Sequence, residues 1–321
     1  MSNRITRKEF LYQTVAAATA MALGTRIGDT ATPPMIPTID THTHFYDPTR
    51  PQGVPWPGKG EAVLYKPHLP EHFLALTQNE GIVGTVVVEA SPWLEDNQWI
   101  LDLAQDNPII VGFIGNLECG RPEFATNLQR FSANPLFRGI RLNGDAIARG
   151  LGQATFEDDL RRLAAQHLTL DVVGSPAMLP DVVRVAKLAP ALTIVIDHLP
   201  FRDWPQDVTV WRHALTEVAQ LPNVYAKISD VVRRANDQPI ADPTFYRASL
   251  DALWELFGPD RALFGSNWPV SDLMAPYSLV HKVVADYFSH KDQSAAEKFF
   301  WKNSHTAYRW IPRGATKDLI P

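Results

Sequence analysis

From residue 38 onward, short apolar runs alternate with stretches whose apolar residues recur at helical spacing. The run Gly84-Thr-Val-Val-Val-Glu-Ala-Ser91 is β-branched and apolar without period-two alternation. A strand buried on both faces reads this way, and such strands belong to parallel sheets. Runs of the same kind fall at 109–116, 137–142, 168–173, 192–198, 223–229 and 261–266. The first strand, Thr-Ile-Asp-Thr-His-Thr-His-Phe, covers 38–45. Between the strands, Leu69, Phe73, Leu74 and Leu76 recur on a helical period and predict a helix over 69–80. The same logic predicts helices over 97–105, 122–131, 156–165, 179–188, 208–220 and 246–257, and two more from Tyr277 and from Gln293. Residues 47–60, rich in Pro and Gly, form a long loop after strand one.

Eight strands, each followed by a helix, imply parallel strands joined by right-handed crossovers. Eight units over about 270 residues is the size of a closed barrel. The expected fold is therefore α/β, a single-domain (β/α)8 barrel of the TIM type over 38–321 with extra C-terminal helices. An open doubly wound sheet usually carries a glycine-rich phosphate turn after strand one, and none occurs here.

Residues 1–37 differ from this body. Arg4, Arg7 and Lys8 precede a small apolar run, Val15 to Leu23, as in an export signal. Thr6-Arg7-Lys8-Glu9-Phe10-Leu11 resembles a twin-arginine motif with Lys8 in the second arginine place. The expectation is a periplasmic protein; the alternative is a cytoplasmic one whose N-terminus is an amphipathic helix. No Ala-x-Ala cleavage site stands out after Leu23. The run is too short to span a bilayer, so no integral membrane segment is expected. Residues 30–37 read as a linker.

Composition narrows the chemistry. The net charge is −5 and no basic stripe is present, which argues against nucleic acid as a partner and leaves a small-molecule substrate. Cys119 is the single cysteine, so any metal must be held by His, Asp or Glu. Oligomeric state leaves no trace in the sequence.

In a barrel of this kind the site lies at the carboxyl ends of the strands. Polar residues collect there. Strand one ends in His42 and His44, two apart and therefore on one face. Strand two ends with Glu89, strand six with Asp197 and His198, and strand eight with Ser266, Asn267 and Trp268. Strand four carries Arg138 and Arg141, three apart; Arg141, nearer the end, aims inward and Arg138 pairs at the rim. Glu89 reads as a partner of a histidine or arginine. Lys227 reads as an interior lysine paired with Asp230. Asp197 must point away from its neighbour His198 and anchors a loop. Trp56, Trp93, Trp204 and Trp268 lie on or near loops after strands, where some wall a substrate pocket and others pack.

Together, His42-Thr-His44, Phe137-Arg-Gly-Ile-Arg141, Ile196-Asp-His198-Leu and Phe264-Gly-Ser-Asn-Trp-Pro-Val270 resemble the amidohydrolase superfamily. More narrowly they are similar to its amidohydrolase-related branch, which includes sugar lactonases and hydrolases of aromatic-pathway lactones. Asn303-Ser-His-Thr-Ala-Tyr-Arg309 is similar to that branch's final helix. The resemblance implies water addition to a lactone or ester carbonyl. It implies His42, His44 and His198 as ligands of a divalent metal, zinc foremost, or as direct polarisers of the carbonyl, since some relatives work without metal. The expected catalytic residues are His198, Asn267 and Arg141, and the expected substrate contacts are Arg141, Trp93 and Trp268.

One position departs from the family pattern. Strand eight of the family reads Gly-Ser-Asp, and this chain reads Gly265-Ser266-Asn267. An amide is no general base. Either His198 or His44 takes the proton, or Asp272 reaches in, or hydrolysis is lost. The alternatives to a hydrolase are a non-oxidative decarboxylase of the same superfamily and a catalytically impaired binding protein.

Overall fold

A computed structural model of the chain describes residues 36–201 and 207–320. The export-signal segment and Trp204 lie outside the described residues. Eight parallel strands form one sheet in sequential order. They are β1 Thr38–Thr43, β2 Ile82–Val88, β3 Ile110–Gly115, β4 Phe137–Asn143, β5 Thr169–Val173, β6 Thr193–Leu199, β7 Val224–Ile228 and β8 Ala262–Phe264. The ring closes just beyond β8. Thr43 bridges Trp268 in parallel, and the N–H groups of Asn267 and His44 donate to the carbonyls of His42 and Trp268. The expected (β/α)8 barrel is the observed one.

The helices between strands are α1 Pro70–Thr77, α2 Leu94–Asp106, α3 Phe124–Ser132, α4 Gly144–Gly150, α5 Ala154–Ala165, α6 Leu179–Leu188, α7 Val208–Ala219 and α8 Arg247–Phe257. Then follow α9 Tyr277–Ser289, α10 Gln293–Glu297 and α11 Asn303–Tyr308. Helix α4 is an addition to the sequence expectation. Asn143 caps it by accepting from the Ala146 N–H, but its roughly two turns are too short for a periodic signal. A two-residue antiparallel ladder, Arg234–Ala235 with Gln238–Pro239, was likewise invisible. Among the described residues no helix is long and apolar enough to cross a membrane.

Apolar side chains sort into two bodies. The larger lies between strands and helices and includes Phe73, Phe113, Phe131, Leu160, Leu253 and Phe288. The smaller fills the barrel interior with Ile39, Val86, Val88, Ile114, Val195 and Leu263, joined by Tyr308 and Trp310. The chain after α11 covers the amino ends of the strands: the Ile311 N–H donates to the Val111 carbonyl. With one end plugged, the carboxyl ends of the strands are left to carry the polar residues.

Candidate active site

At the carboxyl end of β1 the strand is irregular. Asp40 pairs with Thr85 and Thr43 with Val87, so one residue is extra on β1. The bulge separates two functions. Asp40 turns to the outer side, where its carboxylate accepts from the His42 N–H (3.1 Å), the Ser266 N–H (2.9 Å) and the Tyr277 hydroxyl (3.0 Å). His42 turns inward. Asp40 thus clamps the end of β1 to the segment after β8. Close approach there requires Gly265, whose added Cβ would lie 2.8 Å from the His42 Cβ.

Three imidazoles meet. The ring of His42 lies 5.0 Å from that of His44 and 4.5 Å from that of His198, centroid to centroid. His44 is oriented by the Val88 carbonyl, 2.9 Å from Nδ1. His198 Nδ1 lies 3.0 Å from Ser229 Oγ, which also accepts the His198 N–H. His198, Asp230 and Asn267 all have φ near +60°, at 60°, 54° and 65°. Such left-handed backbone in non-glycine residues is costly and clusters at functional sites. Asn tolerates it better than most residues.

Asp197 corrects the sequence reading. Strict alternation would send it away from His198, but the left-handed turn at His198 and a register shift between Ile196 and Leu199 break the alternation. Both side chains enter the site. Asp197 Oδ1 lies 3.5 Å from His42 Nδ1 and 3.0 Å from Lys227 Nζ. Lys227 also departs from expectation. It pairs with Asp197 and with Asp171 Oδ2, at 2.6 Å, and not with Asp230. Tyr308 donates to the Asp171 carboxylate from below. A single aspartate in the apolar run of β5 was the one available sign of Asp171.

Arg141 makes two bonds to Glu89, from Nε to the carboxylate and from Nη2 to the backbone carbonyl, each 2.8 Å. Its Nη1 lies 3.9 Å from Asp197 Oδ2. Arg138, on the opposite face, donates to the carbonyls of Tyr308 and Pro135. Glu89 and Arg141 also form the inner wall of a cleft of about 720 Å³, with Asn116, Arg121, Asn143 and Arg149 around it. That volume suits a small organic ligand.

Electrostatics keep the imidazoles neutral. Burial drives His44 down to about 3, with Arg141 adding to the effect. Burial likewise holds His42 well below its ordinary value and lowers His198, in both cases against the pull of Asp197. For Asp197 burial works upward, but Lys227 and His42 outweigh it and hold the carboxyl well below the usual range. Asp171, sharing the same ammonium, is pushed up by burial.

Asn267 is buried, and its side chain acts on His44, working against the effect of burial there. Asp272 interacts with Lys66 and with Trp268, not with the histidines, and burial raises it to about 6. Trp268 is 3% exposed and packs against Phe45, His68 and Phe73, so its ring serves the core beneath the loop. Trp93 stands exposed before α2 and is not part of the cleft wall. Trp56 instead comes near the cluster, 6.2 Å from the His44 ring.

A cation would find donors here. His42, Asp197 and His198 each bring one ligand atom, all within 4.8 Å of one another. Asp197 completes that group where sequence reasoning placed His44. Two imidazoles and a carboxylate are a zinc donor set. His42 Nε2 is buried and has no hydrogen-bond partner among the described residues.

The family model described as Amidohydrolase matches residues 39–310. An L-fucono-1,5-lactonase of Burkholderia multivorans is 30% identical over 88% of this chain and 98% of its own length. An L-fucono-1,5-lactonase of Burkholderia ambifaria is 29% identical over 73% of this chain and 81% of its own. A Burkholderia multivorans amidohydrolase, crystallised with bound HEPES and with bound zinc, superposes with a TM-score of 0.76 at 27% identity, covering 85% of this chain and 99% of that one.

Proposed function

The chain belongs to the amidohydrolase family, and from that premise we propose that it hydrolyses a lactone of a sugar acid or a closely related cyclic ester. The observation that carries the reading is the convergence of three neutral imidazoles near Arg141, which with Glu89 lines a polar cleft. The similarity to two L-fucono-1,5-lactonases supports the sugar-acid class.

Hydrolysis needs a donor for the carbonyl oxygen and an acceptor for the proton of water. Arg141 is already bound to Glu89 through Nε and Nη2, and its Nη1, in a long 3.9 Å ion pair with Asp197 and without a hydrogen bond, can donate to a substrate oxygen. Neutral imidazole accepts a proton and later returns it to the leaving alkoxide. His198, raised by Asp197 and Asp230 against its burial, suits that exchange best. Asn267, fixed in its left-handed turn, orients water through its amide. When zinc is bound, His42, Asp197 and His198 would hold it, and the ion supplies Lewis-acid polarisation or lowers the pKa of water. Export to the periplasm by the twin-arginine-like segment is part of the same proposal, and cell fractionation tests it.

The experiment is a panel of sugar 1,4- and 1,5-lactones and aromatic-pathway lactones, followed by acid release and by carbon dioxide release. Acid equal to lactone consumed, with no loss of carbon, supports the reading. Carbon dioxide from a carboxylated substrate would assign a decarboxylase instead.

A further inference from the structure

Lys227 sits at the floor of the site, fully buried on β7. Its ammonium faces three acceptors: Asp171 Oδ2 at 2.6 Å, Asp197 Oδ1 at 3.0 Å and His42 Nδ1 at 3.3 Å. An ammonium has three N–H donors and accepts nothing. Its hydrogen bonds run to Asp171 and to His42 Nδ1, while Asp197 meets it as an ion pair with no hydrogen bond to either carboxylate oxygen, so His42 Nδ1 receives an ammonium N–H. A neutral imidazole that accepts at one nitrogen carries its proton on the other. The competing arrangement, Nδ1–H toward Asp197, spans a longer 3.5 Å.

The consequence falls on the buried, unpartnered Nε2 of His42. It becomes an N–H donor directed away from Lys227. His44 is set the opposite way. The Val88 carbonyl only accepts, so His44 Nδ1 carries the proton and its Nε2 a lone pair. Adjacent rings thus offer a donor and an acceptor.

We propose that Lys227 is a positioning residue that holds His42 in the tautomer with the proton on Nε2, and that its ammonium competes with a metal ion for Asp197 and His42. In this state His42 Nε2–H is placed to hydrogen-bond the carbonyl oxygen of the substrate. A zinc ion takes Nε2 as a ligand only if His42 gives up its bond to Lys227 and turns its proton to Asp197. Lys227 therefore sets how strongly the site retains metal. The carbonyl contact rests on the lactone-hydrolase reading; the tautomer and the metal competition do not.

Two measurements test this. The first is a long-range proton–nitrogen correlation spectrum of metal-stripped wild-type protein carrying nitrogen-15 histidine, with His42 assigned by His42→Gln. The proposal expects a bare Nδ1 and a protonated Nε2. A proton on Nδ1, or on both nitrogens, would overturn it. The second is a zinc titration against a competing chelator. Lys227→Met is expected to bind zinc about tenfold or more tighter than wild type, the scale on which neighbours of a ligand act. Equal or weaker binding would overturn the competition. Should Lys227→Met not fold, Lys227→Met combined with Asp171→Asn removes the surplus buried charge, and the same gain is expected of it. A chain that hydrolyses no lactone would still return both readouts.

Discussion

At the scale of single residues, the site is a set of charges and protons arranged by burial. His42, His44 and His198 are held below their ordinary value, so the folded chain keeps them neutral where the unfolded chain takes up protons. Stability is then fully present above the unfolded value near 6.5 and is lost as pH falls from there toward the folded values, about 3 for His44. Each histidine contributes a slope of up to about 1.4 kcal/mol per pH unit in that window. Denaturant unfolding at stepped pH should show this decline, and His44→Asn should make it shallower. Asn267→Asp is a second residue-scale test. Aspartate accepts the same left-handed backbone and adds a carboxylate beside His44. Turnover of the best lactone should rise, by about tenfold or more if general-base action was lacking. An unchanged rate would mean that an imidazole already serves as the base. His42 and His44 at the end of β1, His198 and Arg141 were legible because polar residues at strand ends violate the core pattern. The partners of Lys227 were not, because pairing across β5, β6 and β7 has no local signature.

At the scale of elements, irregularities in the strands do the positioning. A regular β1 would send Asp40 and His42 to the same side; the bulge sends one to the clamp and the other to the site. A regular β6 would hide Asp197; the turn at His198 brings it in. Period-two reasoning fails at these places, and they are the places where the site is built. The Asp40 clamp is testable apart from chemistry. Asp40→Ala strands two backbone N–H groups and the Tyr277 hydroxyl, all buried. The expected loss is about 2–5 kcal/mol of unfolding free energy, read by denaturant titration. Asp40→Asn, which keeps an acceptor, should lose clearly less. Helix boundaries agreed with the periodic pattern to within a few residues, and α6 at Leu179–Leu188 matched the predicted span. Helix α4 was missed because capping by Asn143 defines it more than periodicity does.

At the scale of the whole molecule, the barrel brings distant segments to one mouth. β1 and β6 lie more than a hundred residues apart in sequence, yet their histidine rings are 4.5 Å apart. The alternation of eight apolar runs with helical stretches carried the fold in advance. Closure did not show, since it runs through Asn267 and Trp268 after β8 rather than through a long eighth strand. We propose that this mouth hydrolyses lactones through its imidazoles. The most direct measurement is the steady-state rate of sugar-lactone hydrolysis by wild type, His42→Ala and His198→Ala, with circular dichroism confirming that each folds. Wild type should turn over at least one sugar lactone, and each variant should lose about a hundredfold or more in kcat/KM. Full activity in both folded variants, or no hydrolysis of any lactone by wild type, would contradict it.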